Sequence, residues 1–454
     1  MVRVGPMASP EFALNRRALM AGLGAVALAP TLPVAGRAQA NPQANPQANP
    51  QGQPSLVLQA RPDSLALRPA SAATPVWSLQ GPEITFKRGD TVAVDFGNGL
   101  PVSAVLNWRG IDGVSAIEPL TGRPPIAAGG KEAVQLPLRH AGTFLCESGL
   151  LGDGQAHPSR ARPLIVRETE PAAIDREQVL VIEDWRVRPD GTAVAPGIDP
   201  KDTVPVHTIN GQILIDLSAR INERVRLRII SGCQRSVIAI KLEGLEVRVM
   251  AIDSQPSEPF QARNGALVLA PGGRVDAFID ITAAAGTEIP ILLHDGKEAR
   301  LIGKYSVSHA PPIRPDPLPP APPLPSNGLP ERLDLKNATR VDLALGGPQG
   351  DWVTPASFAA TAAPAFRAKT GRTVVLALTN RAAIATVFHL HGHHFRLLDR
   401  LDDGWKPFWL DTLAIEPGQT QRIAFLAEHA GRYLIESVAT DWASPRLVRW
   451  YAVE

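Results

Sequence analysis

From Ser55 onward the chain alternates short apolar runs with turn signals, and sustained helical periodicity is hard to find. Runs such as Thr91-Val92-Ala93-Val94 and Thr373-Val374-Val375-Leu376 have strand length and β-branched content. They are bounded by turns such as Arg88-Gly89-Asp90, Pro271-Gly272-Gly273 and Glu416-Pro417-Gly418. Short strands punctuated in this way predict an all-β chain built of sandwiches. Three stretches share one pattern, a glycine-type turn leading into an apolar strand: Lys87 to Val94, Ile221 to Arg228, and Lys369 to Leu376. Each lies early in its segment, which predicts three similar β-domains of about 120 residues, a usual size for one sandwich. The expected bounds are 55–170, 171–308 and 331–454, with a Pro-rich linker at 309–330 that reads as extended and semi-rigid.

Composition narrows the function classes. The 454 residues are 44% apolar and 20% charged, as in folded globular matter, and Lys+Arg 46 against Asp+Glu 44 leaves a net charge of +2. That balance gives no basic field for nucleic acid, so no nucleic-acid partner is expected. The first 40 residues resemble a twin-arginine signal peptide. Asn15-Arg16-Arg17 precedes an apolar run from Ala21 to Ala35, and small residues around Ala38 and Ala40 suit cleavage. The run is short and broken by Pro30 and Pro33, so no transmembrane segment is expected in the mature chain. Export by this route to the periplasm follows as an expectation. Residues 41–54 carry an Asn-Pro-Gln-Ala repeat that reads as a disordered tether. The only cysteines, Cys146 and Cys233, are expected as buried free thiols, although an oxidising compartment leaves pairing open.

The most chemically loaded stretch is Phe388-His389-Leu390-His391-Gly392-His393-His394-Phe395. With Val387 before it and Leu397-Leu398 after it, the stretch reads as a strand in which His389 and His391 share one face. Paired imidazoles make half of a transition-metal site without choosing the metal.

The chain resembles the multicopper oxidases from about Ser55 to Glu454. The likeness is carried by Gly81-Pro82-Glu83-Ile84 and Asn98-Gly99-Leu100-Pro101 in the first segment. Glu183-Asp184-Trp185, Ile209-Asn210-Gly211-Gln212 and Leu269 to Asp276 carry it in the second, and Phe388 to His393 with Leu410-Asp411-Thr412 in the third. The resemblance implies three consecutive cupredoxin-like Greek-key β-sandwich domains. It also implies a blue copper site in the third domain and a trinuclear cluster between the first and third.

Carried over position by position, the ligand set is nearly absent. The family's first His-x-His falls on Asn107 and Arg109, and its second on Glu147 and Gly149. The blue-site histidine falls on Thr386, the His-Cys-His on Glu436-Ser437-Val438, and the last His and axial Met on Trp442 and Leu447. Thr386, Ser437, Trp442 and Leu447 cannot supply the thiolate and imidazoles of blue copper.

Two readings of the remainder stay open. In one, Arg109, Glu147 and Glu436 form a charge network beside His391 where metals once sat, no cofactor is bound, and the protein has a structural or binding role in the cell envelope. A copper-free member of the same family that works in cell division suggests division proteins as partners. In the other, His389 and His391, with Glu147 and Glu436, hold copper or another single divalent metal in an oxidoreductase. His393 and His394 are expected to be structural, with His394 on the opposite side of the strand. Asp411 and Thr412 read as local hydrogen-bonding residues, Trp108 and Trp185 as core aromatics, and His140, His157, His207 and His429 as surface or turn residues. No Ser-His-Asp spacing, phosphate loop or nucleotide fingerprint appears.

Overall fold

The computed structural model describes residues 52–68, 73–346, 351–399 and 404–454. The signal-like segment and the repeat up to Gln51 lie outside the described residues. The described chain is β throughout apart from three single-turn 3₁₀ segments.

Three two-sheet sandwiches follow one another. In the first, the sheet ordered Thr74–Gln80, Ser55–Leu65, Thr91–Asn98, Lys131–Pro137 faces one ordered Thr85–Lys87, Ala161–Arg167, Gly142–Glu147, Asn107–Arg109. The second packs a six-stranded sheet on a five-stranded one, and the third a four-stranded on a five-stranded one. Each has its own apolar core, centred on residues such as Phe96 and Phe144, Ile229 and Ile291, and Phe388 and Phe425.

The three turn-to-strand repeats occupy equivalent places. Thr91–Asn98, Arg224–Ser231 and Arg372–Asn380 each pair in parallel with the opening strand of their sandwich, at Ser55–Leu65, Arg176–Val187 and Thr339–Leu345. The turns before them need a left-handed residue, which is Gly89 (φ 94) in the first and Gly371 (φ 80) in the third. The second turn departs from the glycine expectation: Asn222 (φ 60) takes that place, as Asn tolerates the left-handed region.

The proline-rich connection, expected as an extended and semi-rigid linker, is strapped to the domains beside it. Its carbonyls are held by the second domain, with Asn222 Nδ2 donating to Arg314 O and Pro315 O, and Arg224 donating to Leu318 O and Pro319 O. Asn327 Nδ2 then donates to Ala141 O and Ser254 O, pinning the same segment to the first and second domains. Prolines lack N–H donors but keep their carbonyls, so arginine and asparagine side chains can strap such a segment down.

The histidine-rich stretch is not one continuous strand. Thr386–Leu390 lies in the five-stranded sheet of the third sandwich and Arg396–Leu397 in the facing sheet. The chain crosses between them at Gly392, whose φ is 72 and where a Cβ would stand 2.1 Å from the Tyr433 ring. Only glycine passes there without displacing the aromatic ring.

Candidate site at the domain junction

Sheet register builds the site. In the first domain Asn107 and Arg109 lie two residues apart on one short strand, with Asn107 directly opposite Glu147. In the third domain His389 lies opposite Glu436. The two faces meet, and the second domain closes the junction with residues 231–234 and the Pro271-Gly272 turn.

Arg109, Glu147, Glu436 and His391 do come together. Arg109 Nε donates to Glu147 Oε1 at 2.9 Å and its Nη2 to Glu436 Oε2 at 3.0 Å. His391 spans two carboxylates, Nε2 to Glu436 Oε1 at 2.8 Å and Nδ1 to Glu118 Oε1 at 2.8 Å. Both ring nitrogens face oxygens that only accept when ionised, so His391 is an imidazolium. Two members of this network were not legible in the sequence, Glu118 and Arg446. Arg446 Nη1 donates to Glu436 Oε2 at 2.9 Å and lies 3.5 Å from Glu147 Oε1. The signal for it was charge balance, since one guanidinium between two buried carboxylates leaves a negative charge unmatched. With Arg446 and Glu118 included, three cations face three carboxylates.

Titration follows this geometry. Burial opposes the charge on His391, but Glu118 and Glu436 overcome it and raise its pKa to about 9. Burial likewise works against ionised Glu436, yet Arg109 and Arg446 hold it well below the usual carboxylate value. Glu147 is lowered in the same way. His389 behaves oppositely: burial, then the charge of Arg109, pushes it down to about 4. Thr412 Oγ1 donates to Asp411 and so accepts Nδ1–H of His389 at 2.9 Å, which leaves His389 Nε2 as a bare lone pair.

A second buried network lies beside the first. Arg274 of the second domain grips Asp411 of the third with a two-pronged contact at 2.9 and 2.6 Å, and its backbone N–H donates to Asp253. His394 places Nδ1 2.6 Å from Asp112 of the first domain and Nε2 2.7 Å from the Asp253 carbonyl. Between a carboxylate and a carbonyl it too is an imidazolium, raised to about 9 by Asp112 against the effect of burial. Asp253 is pushed up to about 6, by burial first and then by Asp411. The expectation that Asp411 and Thr412 are merely local is corrected here, because Asp411 ties two domains together.

His393 is internal to the third domain. Its Nδ1 lies 2.7 Å from the Tyr451 hydroxyl, which itself donates to His391 O. His207 departs from the surface expectation, being 5% exposed within the strand Val204–Ile209, whereas His140, His157 and His429 are half-buried. Trp108 and Trp185 are core residues, and both cysteines are buried and free.

Ligand atoms of His389, His391 and Glu436 lie within 4.8 Å of one another, the one such group of three among the described residues. Glu147 is not part of it. A small cavity of about 20 Å³ adjoins the group, lined in part by Arg109, Glu147, His389, Glu436 and Arg446. No helix among the described residues is long and apolar enough to cross a membrane.

Three sandwiches with repeated topology and a buried polar junction between the first and third define a three-domain cupredoxin protein. Comparisons with known proteins agree. Multicopper oxidase family models match residues 176–287 and 332–454, together just over half of the chain. The chain belongs to the multicopper oxidase family. Multicopper oxidase MmcO of Mycobacterium tuberculosis is 24% identical over 418 residues, covering 79% of this chain and 78% of that protein. Laccase-7 of Oryza sativa subsp. japonica is 28% identical over 236 residues, 46% of this chain and 40% of that protein. Among solved structures, a multi-copper oxidase from Pseudomonas thermotolerans superposes with a TM-score of 0.76 at 25% identity, covering 90% of this chain and all of that one.

Proposed function

We propose that this chain keeps the multicopper-oxidase architecture without its copper chemistry, and acts in the cell envelope as a structural or binding protein. The observation that carries this reading is Arg109, whose guanidinium bridges Glu147 and Glu436 beside the histidine pair. A guanidinium is always charged and fills the space between carboxylates with paired hydrogen bonds, so it opposes entry of a divalent ion. Arg446 adds a second cation to the same carboxylates.

The donor set does not fit the family's coppers. Blue copper needs a thiolate, and the family's thiolate position is Ser437 here, while the two cysteines are packed into the cores of the first and second domains. A trinuclear cluster needs many free imidazoles. Of the two histidines retained at cluster positions, His391 has both nitrogens committed to carboxylates and His389 keeps one free.

Export by the twin-arginine route to the periplasm is supported by Arg16-Arg17 and the apolar run after them. Cell-division proteins are the proposed partner class, resting on the resemblance to the copper-free division member of the family; fold alone does not fix the partner. Crosslinking in cells with the exported protein, followed by identification of captured chains, tests that part. Recovery of envelope division proteins supports it, and their absence from a saturating capture contradicts it.

A second reading has one observation in its favour, the close approach of His389, His391 and Glu436. On that reading a single copper or other divalent metal serves an oxidoreductase. Titrating the purified protein with Cu²⁺ and Zn²⁺ by calorimetry separates the two. The charge-network reading predicts no stoichiometric binding at this site. Binding that is lost in His389→Ala and strengthened in Arg109→Met supports the metal.

A further inference from the structure

We infer that the cavity beside His389 is a built site for one small neutral molecule, a water, held between the His389 imidazole, Arg446 and the network carboxylates. The inference rests on the metal-free reading above. Three observations carry it. The cavity measures about 20 Å³, which suits a single water. His389 Nε2, on a residue 2% exposed, has no hydrogen-bond partner among the described residues, and neither has Arg446 Nε, on a residue 4% exposed. Both side chains line this cavity. Ser231, fully buried on the same lining, has an unpaired hydroxyl as well. Buried polar atoms left unpaired cost stability, so three of them on one polar cavity mark a place where a molecule completes the bonding.

The chemistry of the walls selects the occupant. A cation meets the guanidinium groups of Arg109 and Arg446. An anion meets the bare lone pair of His389 and the carboxylates of Glu147 and Glu436. A neutral molecule that both donates and accepts suits every wall. Water accepts from Arg446 Nε–H and donates to His389 Nε2 and to one carboxylate oxygen, the three bonds usual for a buried water. Because Glu147 belongs to the first domain and His389, Glu436 and Arg446 to the third, the bound water joins the two domains as well as filling space.

The test is a high-resolution crystal structure of the mature exported protein, with anomalous data at the copper and zinc edges. Oxygen-17 relaxation dispersion is then compared between the wild type and His389→Phe. The expected result is one solvent peak without anomalous signal, in hydrogen-bonding reach of His389 Nε2 and Arg446 Nε, and one long-lived water fewer in the variant. An empty cavity, or an unchanged count in a folded variant, overturns this inference and leaves the metal-free reading standing. An anomalous peak overturns both. If His389→Phe does not fold, the wild-type density decides alone.

Discussion

Arg109 takes its place because a short strand puts it two residues from Asn107 and the register of that strand points both toward Glu147. Removing its charge leaves Glu147 and Glu436 buried with Arg446, and the His391 imidazolium that Glu118 also shares, to balance them. Arg109→Met is therefore expected to lower stability by about 3–5 kcal/mol, read from urea unfolding midpoints. A loss below about 1 kcal/mol speaks against a buried charge network. Arg109, Glu147, Glu436 and His391 could be paired from the sequence because a family register places them. Glu118, Asp112, Asp253, Arg274 and Arg446 could not, since their contacts span from ten to several hundred residues and no spacing along the chain marks them. Their signal is spatial, in the demand that each buried charge find a counter-charge.

The same residues set a pH dependence. His391 and His394 have folded-state pKa values of about 9 against an ordinary 6.5. A raised histidine contributes its full stability below the ordinary value, and loses it as pH rises through the folded one. Stability is thus expected to fall between about pH 6.5 and pH 9. His391→Gln and His394→Gln should each flatten part of that slope. On the acid side, Glu436, Glu147 and Asp411 are held below their ordinary values, so their contribution is present above the usual carboxylate range and lost on acidification through it. Asp253, raised to about 6, works in the opposite sense, its contribution declining as pH climbs from the ordinary aspartate value toward 6. A urea midpoint independent of pH across the alkaline window contradicts the two buried imidazolium ions.

At the scale of elements, most of the fold was readable because sandwich strands announce themselves as short apolar runs between turns. Gly392 shows where that reading fails. Phe388 to Leu398 has the composition of one strand, but the stretch serves two sheets and turns between them at a left-handed glycine packed on Tyr433. Gly392→Ala should cost roughly 2 kcal/mol or more, combining the left-handed strain with displacement of a packed ring. It should also perturb His391, one residue before the turn. A neutral substitution there contradicts the crossover. The proline-rich strap illustrates a different limit. Composition predicts an extended linker, but cannot report that Asn222 and Arg224 hold its carbonyls or that its own Asn327 donates to carbonyls of the first and second domains. Asn327→Ala is expected to speed proteolytic cleavage within 309–330 at unchanged core stability, as local release differs from global unfolding.

For the whole molecule, the two buried networks join the three domains where the family's fold brings its first and third sandwiches together. Arg235 of the second domain adds a further tie, donating to Asp153 of the first and to the Ser444 carbonyl of the third. Domains bound by buried charges resist relative motion. Whether copper has been replaced by this charge network is decided most directly by metal analysis of the protein purified from the periplasm of copper-supplemented cells, together with its visible spectrum. The expected result is no stoichiometric copper and no intense blue absorption. Stoichiometric copper with a blue band contradicts it.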